Sequence, residues 1–307
     1  MKRIIIWRTG EPEDDRVAGT NIVRLKKDPL KLIQINAPEG QVIRCSAING
    51  DGSFLCFSTS ACTYIYALAP LSESSPSVHN MHTYPTASTA LKIINTTVFI
   101  ATGGFRILKA NLMPSVEIEP LEIISNDDAG EIILWNTNES NSLFVALTTR
   151  NEIYLLRICD ETVQKMEFPP LGVFMNVQFL DDGTSLLVLC ANLSHLLIEF
   201  SISKNCVCGE SFSSSKLQLR DREYIVDMDI GRDDIALISS EGSLYIMKRN
   251  QRVLMAVGDM SNIWRAHQSN RCAAARWLST QRLLLNIPSS SVEPLQAAFR
   301  AKRFAQN

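Results

Sequence analysis

Short apolar segments alternate with polar turns along the chain, and one arrangement of these segments recurs. In the clearest copy, apolar segments at 42–48, 54–59 and 64–68 are separated by polar turns, the first of which is Asn49-Gly50-Asp51-Gly52. Asn-Gly and Asp-Gly turns suit tight hairpins because these residues accept a positive φ. Further copies, three of them weaker, occupy 173–200, 224–246, 90–108, 131–156 and 273–287.

The spacing of the copies predicts the fold. The second apolar segment of each copy contains one marker residue, and these are Leu55, Val98, Leu143, Leu186, Ile235 and Leu283. Successive markers are 43, 45, 43, 49 and 48 residues apart. A period of about 40–50 residues with several short strands per unit is typical of WD-type β-propellers. We therefore predict an all-β, WD40-like β-propeller of about seven blades, with two stacked β-sandwiches as the alternative.

The first blade is predicted to be incomplete. Residues 4–8 have the pattern of a third strand, and 21–25 with 30–35 that of the outer strand, so the first two strands are missing. Either the C-terminal end supplies them or the sequence is the later part of a longer protein. We expect a propeller over 1–299 and a short basic tail over 300–307. Residues 11–20 and 71–84 are interpreted as surface loops, and 294–304 as a candidate terminal helix.

Composition excludes several classes of protein. The chain of 307 residues is 46% hydrophobic and 20% charged, which is the composition of a globular protein. No apolar stretch approaches the roughly 20 residues of a membrane helix, and the N-terminal apolar run is too short for a signal peptide. We therefore expect an intracellular protein without membrane contact. Its eight cysteines are then expected to be reduced and mostly buried.

The net charge of −2 conceals a strong asymmetry. Residues 1–248 contain 21 Lys and Arg against 30 Asp and Glu, whereas 249–307 contain nine against two. Such a basic end favours contact with an anionic partner. Some of its cations adjoin aromatic residues, as nucleic-acid contacts often do. The candidate RNA contacts are Arg276, Arg300, Lys302 and Arg303, although a solvated tail that closes the propeller is the simpler interpretation.

No residue pattern predicts catalysis. The chain has no nucleophile motif and no glycine-rich phosphate loop. The pairs Asp181-Asp182 and Asp233-Asp234 fall at equivalent turns, which indicates a structural role. Cys206 with Cys208, and His79 with His82 in a predicted loop, are too sparse for a metal site. We expect no enzyme activity, cofactor, metal or small-molecule substrate.

Several segments resemble a known family in the same order along the chain. They are Trp7-Arg8-Thr9-Gly10, Ile43-Arg44-Cys45-Ser46, Gly52-Ser53, Phe57-Ser58-Thr59, Tyr66-Ala67-Leu68, the run 278–284, Pro288, Glu293-Pro294-Leu295 and Lys302-Arg303-Phe304. With these segments the chain resembles the C-terminal half of cirhin-type WD-repeat proteins, which are UTP scaffold subunits of the small-subunit processome. Family members are tandem propellers with a lysine-rich end, and here the first propeller is missing and the terminal lysine run is thinned.

The resemblance implies a function. It implies a non-enzymatic scaffold in ribosome biogenesis that supports small-subunit pre-rRNA processing, with a further link to rDNA transcription. It implies the nucleolus as location, and other UTP subunits and pre-rRNA as partners. The alternative is a generic WD-repeat adaptor in another complex, such as a ubiquitin-ligase substrate receptor or a trafficking coat. A propeller hydrolase or lectin is a third class, for which the sequence offers no site.

Overall fold

The computed structural model describes the chain as two compact units, within Met1–Ile132 and within Ile133–Val292. None of the described residues forms a helix that is long and apolar enough to cross a membrane. The described residues are 2–8, 12–16, 23–25, 30–69, 76–113, 116–121, 130–138, 140–180, 183–192, 196–208, 211–217, 219, 221–231, 234–248, 263–265, 274–279 and 282–286.

Unit 1 contains two strand pairs and two four-stranded sheets. Strand β1 (Arg3–Arg8) pairs with β4 (Leu30–Asn36), and between them β2 (Pro12–Arg16) pairs with β3 (Val23–Leu25). The two sheets are antiparallel meanders in chain order. Their strands are β5 (Cys45–Ile48), β6 (Phe54–Ser58), β7 (Thr63–Leu68) and β8 (Val78–Tyr84), then β9 (Ala90–Ile94), β10 (Thr97–Thr102), β11 (Arg106–Asn111) and β12 (Glu117–Leu121).

Unit 2 repeats the same meander three times and ends in a strand pair. The first sheet has β13 (Ile132–Thr137), β14 (Leu143–Thr148), β15 (Ile153–Arg157) and β16 (Thr162–Lys165). The second has β17 (Phe174–Leu180), β18 (Ser185–Cys190), β19 (Leu197–Ser201) and β20 (Cys206–Val207). The third has β21 (Ile225–Ile230), β22 (Asp234–Ser239), β23 (Leu244–Lys248) and β24 (Ile263–Arg265), and the pair is β25 (Ala274–Ser279) with β26 (Arg282–Asn286).

The predicted period is confirmed strand by strand. Each marker residue lies in the second strand of its unit, from Leu55 in β6 to Leu283 in β26. When β1 with β4 and β25 with β26 are counted as one group each, the described residues contain seven blade-type groups. The first group is two-stranded, as expected. Which strands complete it stays a prediction.

Two segments interpreted as loops contain strands. Within 71–84, β8 pairs with β7, so that His79 lies opposite Ala67 and His82 opposite Ile65. Within 11–20, β2 forms a hairpin with β3, and β3 therefore does not share an outer strand with β4. The loop interpretation was wrong for β8 because this outer strand of its sheet is largely exposed, so solvent permits a polar sequence there.

Burial on both faces of the middle strands holds unit 2 together. In β18, Leu187 and Leu189 pack with residues of β21, β22 and β23. Leu186, Val188 and Cys190, which point to the opposite face, pack with residues of β14, β15 and β17. A strand that is buried on both faces is apolar at every position rather than at alternate ones. This explains the uninterrupted run that marks the second strand of each copy.

The same arrangement recurs in unit 1. Leu55 of β6 joins a cluster with Ile33 of β4 and Leu68 of β7. Its neighbour Cys56 joins a cluster on the opposite face with Ile100 and other residues of β9, β10 and β11. Single residues along β6 therefore contribute alternately to two cores.

Asparagine side chains close equivalent turns between the first and second strands. Asn49 accepts a hydrogen bond from the Phe54 backbone N–H at 2.8 Å, and Asn138 accepts one from Leu143 at 3.0 Å. Both asparagines are buried and lie five residues before the strand residue that they bind. Both turns therefore depend on a buried amide, and the second contains no glycine.

The cysteines are less buried than expected. Among the seven that the structure describes, Cys56 and Cys190 are buried, three are half-buried, and Cys159 and Cys206 are exposed. The buried pair lies in second strands. Cys159 follows β15 in a turn and Cys206 lies in the outer strand β20, where burial is incomplete.

We expect Leu187→Ala to lower the free energy of unfolding by about 2–5 kcal/mol, because it leaves a cavity in a core shared by two sheets. Urea denaturation followed by circular dichroism measures the change. The control is Met113→Ala, since Met113 is 60% exposed and its truncation should change stability by less than about 0.5 kcal/mol. Equal effects of the two substitutions would contradict this account of the core.

Candidate functional site

The residues predicted to contact RNA are not brought together among the described residues. Arg300, Lys302 and Arg303 lie outside the described part of the chain, as do the tail 300–307 and the candidate helix 294–304. The backbone of Arg276 lies in β25, opposite Leu284 of β26, and its side chain is outside the description. Contact with RNA therefore stays a prediction.

The sparse Cys and His pairs do not form a cluster. His79 and His82 lie on either side of a register shift in the outer strand β8. Within the described ranges, no group of three or more His, Cys, Asp or Glu side chains is placed to hold a metal ion.

Polar side chains connect the first strands of neighbouring sheets in unit 2. Asn136 of β13 donates a hydrogen bond to the carbonyl oxygen of Val177 in β17 at 2.7 Å. One sheet further, Gln178 donates to the carbonyl oxygen of Met228 in β21 at 2.8 Å. Asn136 and Gln178 each follow a buried residue in equivalent strands, Trp135 and Val177. The repeat therefore places an amide at the same position in both strands, where it binds the main chain of the next sheet.

Further bonds fix the alignment of β17 and β21. Asn176 donates to the carboxylate of Asp227 at 2.8 Å, and the Ile230 backbone N–H donates to Gln178 at 3.1 Å. The bonded positions advance in the same direction on both strands, so the strands run parallel. Asn176 is buried, and its Oδ1 has no hydrogen-bond partner among the described residues. This leaves a buried acceptor beside the Asp227 carboxylate.

The connection from β16 to β17 is held by two asparagines. Asn151, in the turn between β14 and β15, donates to the carbonyl oxygen of Gly172 at 2.8 Å and accepts from the Phe174 backbone N–H at 2.6 Å. Asn192 donates to the carbonyl oxygen of Leu171 at 2.8 Å. Gly172 has φ +118°, which side-chain-bearing residues rarely adopt. The connection is therefore fixed through its backbone, while Phe168 and Leu171 anchor it to the core and Val173 stays exposed.

A buried carboxylate holds the equivalent connection before β21. Glu223 is 3% exposed and accepts hydrogen bonds from the Ser239 hydroxyl at 2.6 Å and the Tyr245 hydroxyl at 3.3 Å. The Ser243 backbone N–H donates to the Ser239 hydroxyl at 3.0 Å. The connection, the end of β22 and the beginning of β23 thereby share one network. Buried polar groups that are paired in this way fix a single conformation.

Unit 1 has a related network with different residues. The Ser88 backbone N–H donates to the Ser58 hydroxyl at 2.7 Å, and the Thr63 and Ser88 hydroxyls are 2.5 Å apart. Ser58 and Ser239 are both the last residue of a second strand, and Thr102 and Thr148 occupy the same position in β10 and β14. Sequence reasoning missed these residues. The signal that could have found them is a Ser or Thr that ends the apolar run in four of the five complete sheets.

These supports leave apolar side chains exposed at one end of unit 2. Val173 precedes β17 and Tyr224 precedes β21, and they are 58% and 53% exposed. Their carbonyl oxygens accept equivalent hydrogen bonds of 2.7 Å from Ala191 and Ser240. We call Val173 and Tyr224 the apolar rim.

Fixed backbone and exposed apolar side chains occur together at this end of unit 2. Asn151 and Asn192 bind backbone carbonyl oxygens, Glu223 binds the Ser239 and Tyr245 hydroxyls, and the side chains of the apolar rim are exposed.

Comparison with known proteins identifies the fold. No family model and no curated protein matches the chain, whereas 1386 chains of solved structures do. One is the β-propeller domain of Cps50 (Swd1) from Myceliophteria thermophila, with a TM-score of 0.57 and 10% identity. The match covers 85% of this chain and 82% of that one. The chain therefore has a WD40-like β-propeller fold, as the sequence predicts, and is not a pair of sandwiches.

This likeness shows the fold of the chain. A fold shared so widely does not select one partner.

We expect Asn151→Ala to lower the free energy of unfolding by about 1–3 kcal/mol, because the substitution leaves the Gly172 carbonyl and the Phe174 N–H without their side-chain partner. Thermal and urea denaturation measure the change. The matched control is Asn80→Ala, since Asn80 lies exposed in β8 and makes one side-chain bond, to Thr83. A control effect as large as that of Asn151→Ala would reject the proposed support.

Proposed function

We propose that this chain is a non-enzymatic scaffold of the cirhin type, which acts in the small-subunit processome and supports small-subunit pre-rRNA processing. The observation that carries the proposal is the order-preserving resemblance between this sequence and the C-terminal half of that family. The propeller fold supports it because a processome scaffold of this type is a WD-repeat protein.

The resembling segments occupy defined places in the sheets of unit 1. Trp7 and Arg8 end β1, the segment 43–46 leads into β5, and 57–59 ends β6. Residues 66–68 end β7, and Gly52 lies in the turn before β6 with φ +75°. These are strand ends and turns, where the backbone restricts the residue types. A likeness at such places in consistent order supports common architecture better than a likeness scattered over the surface.

The proposed partners are other UTP subunits and pre-rRNA, and the proposed location is the nucleolus. The acidic body of residues 1–248 suits contact with basic proteins, and the basic segment 249–307 suits contact with phosphates. A role in rDNA transcription is part of the same proposal.

A generic adaptor in another complex is the second candidate. It is favoured by the wide distribution of the fold and by the 10% identity of the Swd1 propeller, since neither observation selects a complex. Location separates the two candidates: a nucleolar signal favours the processome, and a cytoplasmic or vesicular signal favours the adaptor.

We expect the full chain, tagged in cells, to co-purify other UTP subunits and pre-rRNA and to concentrate in the nucleolus. Quantitative mass spectrometry, RNA sequencing of the eluate and fluorescence microscopy measure these properties. An unrelated WD40 propeller with the same tag is the control. Recovery of neither UTP subunits nor pre-rRNA above that control would reject the proposal.

Substitution of Arg300, Lys302 and Arg303 by Ala is expected to weaken pre-rRNA binding and to flatten its salt dependence, because fewer counterions are released when fewer phosphates are contacted. Filter binding over a series of salt concentrations measures the slope. Lys2→Ala with Arg3→Ala, at the other end of the sequence, is the matched control. An unchanged slope in the triple variant would show that these residues do not contact RNA.

A further inference from the structure

The turn between β5 and β6 contains the only Asn-Gly pair of the sequence, Asn49-Gly50. Asparagine is a thermolabile residue, and in such a pair the backbone nitrogen of the glycine attacks the side-chain carbon Cγ without obstruction, because glycine has no side chain. Ammonia leaves, and a cyclic succinimide remains. Water then opens the ring to aspartate or to isoaspartate, in which the main chain runs through the former side chain. The sequence therefore places a labile amide at this turn.

The folded turn holds this amide away from the reaction. Asn49 is 5% exposed, and its Oδ1 accepts a hydrogen bond from the Phe54 backbone N–H at 2.8 Å. Its Nδ2 donates to the Ser53 hydroxyl at 2.9 Å and to the carbonyl oxygen of Asn95 at 3.3 Å. The side chain must break these bonds to reach the Gly50 nitrogen. Attack is therefore expected only in the fraction of time during which the turn is open.

The labile pair is separable from the structure of the turn. Gly52 has φ +75°, which side-chain-bearing residues rarely adopt, so the fold requires a glycine there. Gly50 has no positive φ, and a methyl group added at its Cα would meet no atom of the described residues within 4 Å. Alanine therefore fits at residue 50 without strain, although it obstructs the attack on Asn49.

Loss of ammonia turns a favourable contact between two sheets into an unfavourable one. An oxygen takes the place of Nδ2, so an acceptor faces the carbonyl oxygen of Asn95, which lies in the turn between β9 and β10. The Ser53 hydroxyl already donates to Asp51 at 2.7 Å, and the Asp51 carboxylate adds a like charge close to the new one. A buried charge that lacks donors is costly. Isoaspartate in addition lengthens the main chain within the hairpin.

We propose that Asn49 is a deamidation site that the folded turn protects, and that its modification weakens the contact between the two four-stranded sheets of unit 1. Each opening of the turn exposes the amide to attack by the Gly50 nitrogen. The loss of ammonia makes the step irreversible, so Asn49 converts transient opening of unit 1 into permanent damage. The inference concerns the chemistry of unit 1 and is independent of the proposed function.

The test compares deamidation of the full chain in its native and denatured states. The chain is incubated at mildly alkaline pH in sodium chloride or in guanidinium chloride of equal concentration, and mass spectrometry of its peptides follows the exchange of NH2 for OH. Asn49 should react at least about tenfold more slowly in the native chain. Isomerisation of Asp51 leaves the mass unchanged and does not disturb the measurement. Asn141, which is exposed and precedes Ser142, is the internal control and should show less protection.

Two variants separate the reaction from its protection. Gly50→Ala should slow deamidation of Asn49 several-fold in the denatured chain and leave the melting temperature unchanged. Ser53→Ala removes an acceptor of Nδ2, so it should accelerate the reaction in the native chain. Ser142→Ala removes the equivalent partner of Asn138 in unit 2 and is the matched control, which should leave the rate at Asn49 unchanged.

A third variant tests the consequence of the modification. Asn49→Asp reproduces one product, so it should lower the melting temperature of the full chain, followed by circular dichroism, whereas Gly50→Ala should not. Equal rates at Asn49 in the native and denatured chain would overturn the inference. So would undiminished reaction in the denatured Gly50→Ala chain, or an Asn49→Asp variant that melts like the original chain.

Discussion

The fold depends on burying both faces of the middle strands. A single four-stranded sheet such as that of β17 to β20 cannot cover its own faces. The adjacent residues Leu187 and Val188 pack into different cores, one on each face of the sheet. Each sheet therefore needs a neighbour on either side. Side chains in these strands are committed to packing, and the residues available for recognition are confined to outer strands, connections and strand ends. The apolar rim lies in such a place.

The supports of the rim follow from the same constraint. Stacked sheets bring the first strands side by side, so Asn136 and Gln178 reach the backbone of the next strand. The connections cross from the outer strand of one sheet to the first strand of the next, and they need partners for their own polar groups. Asn151, Asn192 and Glu223 supply these partners. The packing of the sheets and the fixed backbone beneath the apolar rim are thus both consequences of stacking the sheets side by side.

Much of the fold could be predicted because the second strands recur at a nearly regular spacing along the sequence. Leu55 and Leu283 mark strands at opposite ends of the repeat, and both assignments hold. Strand β8 could not be predicted, because an exposed outer strand has the composition of a loop. The rim could not be predicted either, since Val173 and Tyr224 look like ordinary residues of apolar runs. Their exposure depends on tertiary contacts around Gly172 and Glu223, which short-range patterns do not contain.

The hydrogen bonds from asparagine and glutamine side chains to main-chain atoms have an evolutionary consequence. Asn136, Gln178, Asn151 and Asn192 all bind main-chain atoms of their neighbours. A carbonyl oxygen is present whatever side chain its residue carries, so the bonds of Asn136 and Gln178 place no demand on the identity of the residues that they bind. Neighbouring sheets can then drift in sequence independently while their alignment persists. Such tolerance fits a propeller that matches a solved structure over 85% of its length at 10% identity.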